Sequence, residues 1–204
     1  PNTVVIDGSG EFLIYSTADF SGVMNFDVAA IASNTTSPYH ETVAETTESF
    51  SVNIVGVADV PSLVVVDIDI ISLEDGYLLV EWSDASLNDI DGSEVLELQV
   101  RVPNMAWVDR VTYEGAALVG IPSNDFTYFT VLETQSAVSG ELRIYTTEHI
   151  SGLFEASLVA VASESKGDEG WTDFGYMATG SSAENATRLD ITVMPVADVP
   201  SLTV

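Results

Sequence analysis

Residues 88–94, Asn-Asp-Ile-Asp-Gly-Ser-Glu, place three carboxylates around a glycine directly before a strand-like run. Asp89 and Asp91 are two positions apart, so both side chains can reach one side of an extended or turning backbone. Gly92 permits the positive φ that would fold the loop around an ion, and Glu94 can supply a bidentate carboxylate. Hard oxygen ligands gathered in this way suit Ca²⁺. The segment is not an EF-hand, because the twelve-residue loop and its two helices are absent.

A second acidic turn, Leu-Glu-Asp-Gly at 73–76, lies just ahead of the next strand-like run, and Asp59 precedes both segments. We expect the three acidic positions to lie near one module end, where they could share ions. Asp-Gly is also a very common turn dipeptide, so the segments could be ordinary turns. Carboxylates pooled without a cation would repel one another, which favours calcium.

Catalytic chemistry finds little support in the sequence. The chain has no cysteine, which excludes disulfides, thiolate metal sites and a cysteine nucleophile. Its two histidines, His40 and His149, do not occupy equivalent positions in the internal repeat. Carboxylates could in principle form a glycosidase pair, but nothing marks one, and neither a Walker loop nor a dinucleotide-binding glycine motif is present. We expect that the chain is not an enzyme.

Three tryptophans are candidates for a surface that binds sugar or protein. Trp82 and Trp107 lie in strand-like runs, which favours core positions. Trp171 lies beside the polar loop 166–170 and is the best single residue for contact with a ligand. The loop itself is either solvated or a further source of ion ligands.

The elements that would position these residues occur in repeated units. The hexapeptide Ala-Asp-Val-Pro-Ser-Leu begins at residue 58 and again at residue 197, 139 positions later. Upstream, residues 9–17 match residues 139–147 at an offset of 130. The copies therefore differ by nine residues, an insertion or deletion between Ser33 and about Ala44 that a surface loop can absorb. We predict that residues 1–60 are the C-terminal part of a preceding module with its linker, and that 61–204 form a module ending in the next linker.

The partial module would bury its apolar residues incompletely, because it lacks the strands that cover them in a complete module. Phe12, Ile14, Phe26 and Val28 are the examples that the repeat identifies. Another chain could complement them.

Eight segments of the sequence are apolar with partial alternation, and none shows a sustained helical period. Short strands at this spacing predict an all-β, antiparallel two-sheet sandwich of immunoglobulin-like architecture. The predicted strands are 64–70, 77–82, 95–102, 107–113, 126–132, 142–145, 156–162 and 188–193.

Composition and charge exclude several classes of function. The 204 residues carry 32 acidic and 5 basic side chains, a formal charge of −27, so the basic stripe that nucleic-acid binding needs is missing. The hydrophobic fraction of 46% is that of a folded protein and not of an acidic disordered tail. No apolar run approaches the roughly 20 residues that span a bilayer, so we expect no membrane insertion.

Taken together, the motifs resemble the tandem extender modules of giant type I-secreted RTX adhesins of Gram-negative bacteria, in the class with repeats of roughly 140 residues. The resemblance covers the whole chain. Its motifs are Leu-Glu-Asp-Gly at 73–76, Asp-Ile-Asp-Gly-Ser-Glu at 89–94, Arg-Val-Pro at 101–103, Ser-Gly at 151–152, and Val-Ala-Asp-Val-Pro-Ser-Leu at 57–63 and 196–202.

The resemblance implies immunoglobulin-like or cadherin-like modules joined end to end, with Ca²⁺ at and near the junctions stiffening a stalk on the cell surface. Neighbouring modules of the same chain would be the partners, and secretion would use an uncleaved C-terminal signal. One departure is the segment 104–107, Asn-Met-Ala-Trp, which replaces an expected glycine-containing turn. The implied metal ligands are Asp59, Glu74, Asp75, Asp89, Asp91, Glu94 and Asp198.

We therefore expect a non-enzymatic, calcium-rigidified extender of an extracellular adhesin that supports cell adhesion and biofilm formation. The alternative is a ligand-binding module of the same kind of adhesin, whose loops around Trp171 or within 33–44 contact a carbohydrate or protein. A glycoside hydrolase or peptidase is the third alternative.

Overall fold

The computed structural model describes residues 13–18, 20–34, 42–68, 71–89, 92–103, 105–134, 136–164 and 181–197. Within these residues the chain forms β-strands joined by short connections, with one turn of 3-10 helix at Met105–Trp107. The strands are β1 Gly22–Asn34, β2 Thr42–Ile54, β3 Ser62–Ile68, β4 Ile71–Leu73, β5 Tyr77–Ser86, β6 Glu94–Val102, β7 Val108–Tyr113, β8 Ala116–Ala117, β9 Ile121–Pro122, β10 Thr127–Thr134, β11 Val138–Thr146, β12 Gly152–Glu164 and β13 Ser182–Met194.

Strands β3 to β13 build a sandwich of two sheets. One sheet has the order β4-β13-β12-β6-β10-β9 and the other the order β3-β5-β11-β7-β8. Neighbours are antiparallel except β4, which runs parallel to β13. In one sheet the neighbours β5, β11 and β7 correspond to strands B, E and D of immunoglobulin domains, and in the other β13, β12 and β6 correspond to strands G, F and C. Strand β10 differs from this pattern: it follows β7 and precedes β11 in the chain, but it pairs with β6. The predicted all-β antiparallel sandwich is confirmed.

Alternation of apolar residues sets the core of this sandwich. In β5 every second residue from Leu78 to Trp82 is buried, and β6 buries its alternate positions in the same way. Trp82 and Trp107 are both almost completely buried, which confirms their predicted core positions. Gly140 makes room for the first of them, since a Cβ there would lie 2.7 Å from Cζ2 of Trp82.

All eight strands predicted within residues 61–204 are present, because each carries an apolar face long enough to be recognised, although residues 69–70 of the first lie outside the described residues. The short strands β4, β8 and β9 were not predicted. Each has only two or three residues, too few to show an alternating pattern. The segment 104–107 takes up its 3-10 turn at Met105–Trp107, which buries Trp107.

Strands β1 and β2 form a separate two-stranded sheet. This hairpin has the same register as β12–β13: Gly22 pairs with Ile54 as Gly152 pairs with Val193. The offsets are 130 and 139 residues, the same two offsets that relate the repeated sequences. The hairpins are thus built alike, whereas the domain boundary near residue 60 stays a prediction.

The two hairpins differ in what covers them. Ile14 and Val28 are exposed and Phe26 is partly buried, while Phe12 lies outside the described residues. Val28 is 47% exposed, whereas Leu158, its equivalent in β12, is completely buried. The side chains at these two equivalent positions should therefore contribute different amounts to the free energy of unfolding.

We predict that Leu158→Ala lowers the free energy of unfolding by about 2–5 kcal/mol, because it leaves a cavity in a closed core. Val28→Ala, the matched change in β1, should shift it by no more than about 0.5 kcal/mol. Urea unfolding followed by the fluorescence of the buried tryptophans measures both values. Equal losses would mean that the two hairpins are equally buried in solution.

Candidate metal centre

The segment that leads into the sandwich is held by side chains of the sandwich itself. The Ala58 N–H donates to Ser181 Oγ at 2.7 Å, and the Asp59 N–H donates to Glu94 Oε1 at 2.6 Å. Asn88 Nδ2 donates to the Val60 carbonyl at 2.6 Å, and Asn185 Nδ2 donates to the Pro61 carbonyl at 3.1 Å. Four consecutive linker residues are thereby fixed through their backbone groups.

Three carboxylates meet beside this linker, two of them because their strands pair. Glu94 opens β6 and Glu164 closes β12, and the two residues are direct partners in the antiparallel ladder. Gly92 adopts φ +75°, the positive value predicted for this turn, and Asp89 lies just before it. One carboxylate oxygen from each of Asp89, Glu94 and Glu164 lies within 4.8 Å of the other two. This cluster can offer several hard oxygen ligands to one cation.

Glu94 is the buried centre of the cluster. Its side chain is 0% exposed, and Oε2 has no hydrogen-bond partner among the described residues. Burial raises the pKa of Glu94 above its ordinary value, and the nearby charges of Asp89, Asp59 and Glu164 raise it further. The hydrogen bond from the Asp59 N–H opposes this rise in pKa. A buried carboxylate among like charges favours a bound proton or a bound cation.

Ser93 brings only one compensating proton to the cluster. Its Oγ lies 3.2 Å from Asp89 Oδ2 and 3.0 Å from Glu164 Oε2. A hydroxyl has a single hydrogen to donate, so it satisfies one of these two carboxylates at a time.

The arginines of the described residues are engaged outside the cluster. In the described part of the chain, four arginines form ion pairs with carboxylates outside the cluster. The pairs are Arg101 with Glu184, Arg110 with Asp109, Arg143 with Glu141, and Arg188 with Glu155 and Asp190.

The cluster opens into a cleft of about 270 Å³ between the hairpin side and the sandwich. Phe20, Val55 and Gly56 line one side, and Asp59, Asp89 and Glu164 line the other. Gly56 lies directly against the Glu164 side chain, which would have to move if position 56 carried a Cβ. A water molecule occupies roughly 30 Å³ of liquid, so the cleft has room for a hydrated ion.

The other predicted acidic turn lies at the far end of the sandwich. Glu74 and Asp75 precede β5, whereas the linker pairs near the end of that strand, where Ser62 faces Ser86. Ten residues of strand separate the two ends by about 30 Å. The structure therefore does not bring Glu74 and Asp75 together with Asp89 and Glu94.

Glu74 has a different role in the structure. It is buried, and its Oε1 accepts a hydrogen bond of 2.7 Å from the Val196 N–H, in the segment that leaves the sandwich. Its own N–H donates to the Met194 carbonyl at 3.0 Å. Asp75 adopts φ +62°, which belongs to the turn before β5.

Of the remaining predicted residues, Asp59 contributes both its N–H and a carboxylate on the cleft. Asp91, Asp198 and Trp171 lie outside the described residues, as does the loop 166–170. Sequence reasoning missed Glu164 as a candidate ligand. Only the pairing of β12 with β6 identifies it, since 70 residues separate it from Glu94 in the chain.

We predict that Glu74→Ala frees the outgoing segment at Val196. Loss of a charged acceptor for a backbone N–H should cost about 1–3 kcal/mol and speed amide hydrogen exchange at Val196. Exchange measured by NMR checks this, with the exposed Glu141→Ala as the control. Unchanged exchange at Val196 would show that the bond does not hold the segment in solution.

We predict that Glu94→Gln stabilises the protein in chelator at pH 7.5. A carboxyl whose pKa is raised by folding contributes stability below its unfolded pKa and loses it as the pH rises through the folded pKa. Glutamine does not ionise, so the variant does not lose this stability at high pH. Its excess in melting temperature over the unchanged protein should therefore shrink as the pH falls towards 4.5, the ordinary pKa of a Glu side chain. Glu141→Gln is the exposed control. A Glu94→Gln protein that melts below the unchanged protein at pH 7.5 would contradict the prediction.

Among the described residues, no helix has the length and apolar character needed to cross a bilayer.

Comparison with known proteins gives distant structural similarities only. No family model matches the chain, and no curated protein matches its sequence. AvmM, a solved structure described as catalysing macrocyclization in alchivemycin A biosynthesis, is 8% identical over 70% of this chain and 94% of its own, with a TM-score of 0.40. The B domain of a biofilm-associated protein is 10% identical over 63% of this chain and 43% of its own, with a TM-score of 0.29. Because both TM-scores lie below 0.5, neither similarity determines what this chain does.

Proposed function

We propose that the chain is a calcium-stabilised extender segment of a bacterial surface adhesin, a structural and non-enzymatic part of a secreted stalk. The proposal combines the repeated sequence, the resemblance of its motifs to RTX extender modules, and the acidic cluster at the linker. Adhesion and biofilm formation would be functions of the parent protein, with neighbouring modules as the direct partners of this segment.

The observation that carries the calcium proposal is the buried carboxylate of Glu94. It has zero exposure, an oxygen without a hydrogen-bond partner among the described residues, and two further carboxylates within 4.8 Å. An ionised carboxylate in such a place destabilises the fold unless a cation binds to it or it takes up a proton and becomes neutral. The four arginines of the described residues pair with other carboxylates, and an external cation is a partner that fits the cluster.

Oxygen chemistry favours calcium over other metals at this cluster. Ca²⁺ takes six to eight oxygen ligands at about 2.3–2.6 Å in a flexible geometry, and waters complete the shell where carboxylates do not. Asp89, Glu94 and Glu164 offer only oxygen, and Asp59 lines the same cleft. Zinc would favour histidine or cysteine ligands, and the chain has no cysteine.

The position of the cluster gives the proposed ion a mechanical role. Glu94 Oε1 accepts a hydrogen bond from the Asp59 N–H of the linker. A cation bound at Oε2 would therefore restrain the same side chain that binds the linker. Gly56 brings the preceding segment against Glu164, a second proposed ligand. Neutralising the cluster would reduce repulsion within a chain of formal charge −27 and hold the linker in one direction.

Calcium should raise the melting temperature of the chain far more than magnesium at matched ionic strength. One ion bound only by the folded state adds about 2.7 kcal/mol at one hundred times its Kd. Asp89→Asn and Glu164→Gln should each remove most of the calcium-specific shift, because each removes a charged ligand. Scanning calorimetry in chelator and across a calcium titration measures these shifts.

Glu74→Gln is the matched control, since it neutralises a buried glutamate at the far end of the sandwich and should leave the calcium response intact. Equal, small shifts with calcium and magnesium in the unchanged protein would refute the calcium proposal.

A further inference from the structure

The β1–β2 hairpin has one polar face and one apolar face. On the polar face Ser49 Oγ donates to Asp27 Oδ1, and Ser51 Oγ lies beside Asn25 Oδ1, each at 2.6 Å. On the opposite face the rings of Phe26 and Phe50 stack with centroids 5.2 Å apart. The neighbours of this ring pair on the same face are Met24, Val28, Val52 and Ile54, which are apolar, and Glu48, which pairs with Val28.

The equivalent face of the β12–β13 hairpin is fully covered. Phe50 is 39% exposed where its equivalent Leu189 is 1% exposed, and Val52 is 38% exposed where Ile191 is 2% exposed. The facing sheet of the sandwich covers these residues. The registers of the two hairpins are the same, so the strand that pairs with the edge of β12 shows what kind of strand fits the edge of β1.

Strand β6 is the element that pairs along β12. It runs antiparallel, with Arg101 opposite Ser157 and Val100 opposite Leu158. In the repeat, Ser157 and Leu158 of β12 correspond to Asp27 and Val28 of β1, at the offset of 130 residues. Among the described residues β1 pairs with β2 alone, so its other edge has the geometry to accept a strand.

The charged residues of the hairpin indicate that the added strand carries an arginine. Arg101 of β6 binds Glu184 of β13 through two hydrogen bonds of 2.8 and 2.6 Å. The residue equivalent to Glu184 in β2 is Glu45, which is exposed. With Asp27 at the position of Ser157, the hairpin presents two carboxylates where the arginine of an added strand would lie.

We propose that the β1–β2 hairpin is a docking surface for one polypeptide strand with the pattern of β6, supplied by a module of the same repeat class. The strand adds antiparallel to the free edge of β1, places alternate apolar side chains beside Phe26 and Val28 on the same face, and directs an arginine to Asp27 and Glu45. Backbone hydrogen bonds along β1 supply affinity, and the apolar alternation and arginine supply register. This proposal is independent of calcium binding.

A peptide of residues 94–102, with a soluble tail and a fluorescent label, tests the proposal when titrated with the full chain in fluorescence anisotropy. We expect saturable binding. Val28→Asp should weaken it by about tenfold or more, because the new charge would lie beside an apolar side chain of the peptide and opposite Glu48 of β2. Val23→Asp, on the polar face of the same strand, is the matched control and should change affinity less than about twofold. Circular dichroism and the amide NMR spectrum verify that each variant keeps the hairpin.

A charge exchange tests the register separately. The peptide with Arg101→Glu should bind the unchanged chain about tenfold more weakly, since it sets like charges against Asp27 and Glu45. Glu45→Arg in the chain should restore a substantial part of that loss. A scrambled peptide that binds equally well, indifference to Val28→Asp, no saturable binding, or a dimer of chains that blocks the peptide would each overturn the proposal.

Discussion

The carboxylate of Glu94 is the constraint on which the junction depends. It is fully buried, it accepts the Asp59 N–H, and it stands against Asp89 and Glu164 in a chain with few basic residues. A charge in this place cannot be left uncompensated without destabilising the fold. Whether a proton or a cation compensates it therefore also sets how firmly the incoming linker is held.

The two ends of the sandwich use buried glutamates in different ways. Glu74 receives one backbone N–H, that of Val196, in the outgoing segment. Glu94 receives one backbone N–H, that of Asp59, in the incoming segment, but it does so inside an acidic cluster. Val57 and Val196 are equivalent in the repeat, so the same type of segment accompanies a single buried glutamate at one end and a glutamate within an acidic cluster at the other.

Much of the fold could be predicted from local sequence because burial on a strand has a period of two. The alternation in β5 and β6, the core positions of Trp82 and Trp107, and the positive φ of Gly92 all follow from residue type and its neighbours. The short β4 carries no such pattern, and its parallel pairing with β13 depends on topology.

The candidate site could be predicted only in part. Asp89 and Glu94 are near in sequence, and Gly92 between them has the positive φ that its residue type predicts. Glu164 joins them only through the register of β12 on β6, and Glu74 is kept away by the length of β5. Register and strand length are properties of the assembled sheet, so spacing along the chain could not reveal them.

The most direct test of the central claim is a crystal structure of the chain grown with calcium, with the ion located by its anomalous scattering. The account predicts a peak bonded at about 2.3–2.6 Å to carboxylate oxygens of Asp89, Glu94 and Glu164. A calcium-saturated crystal with no peak there, and with Glu94 Oε2 bound instead to water or to a protein donor, would contradict it.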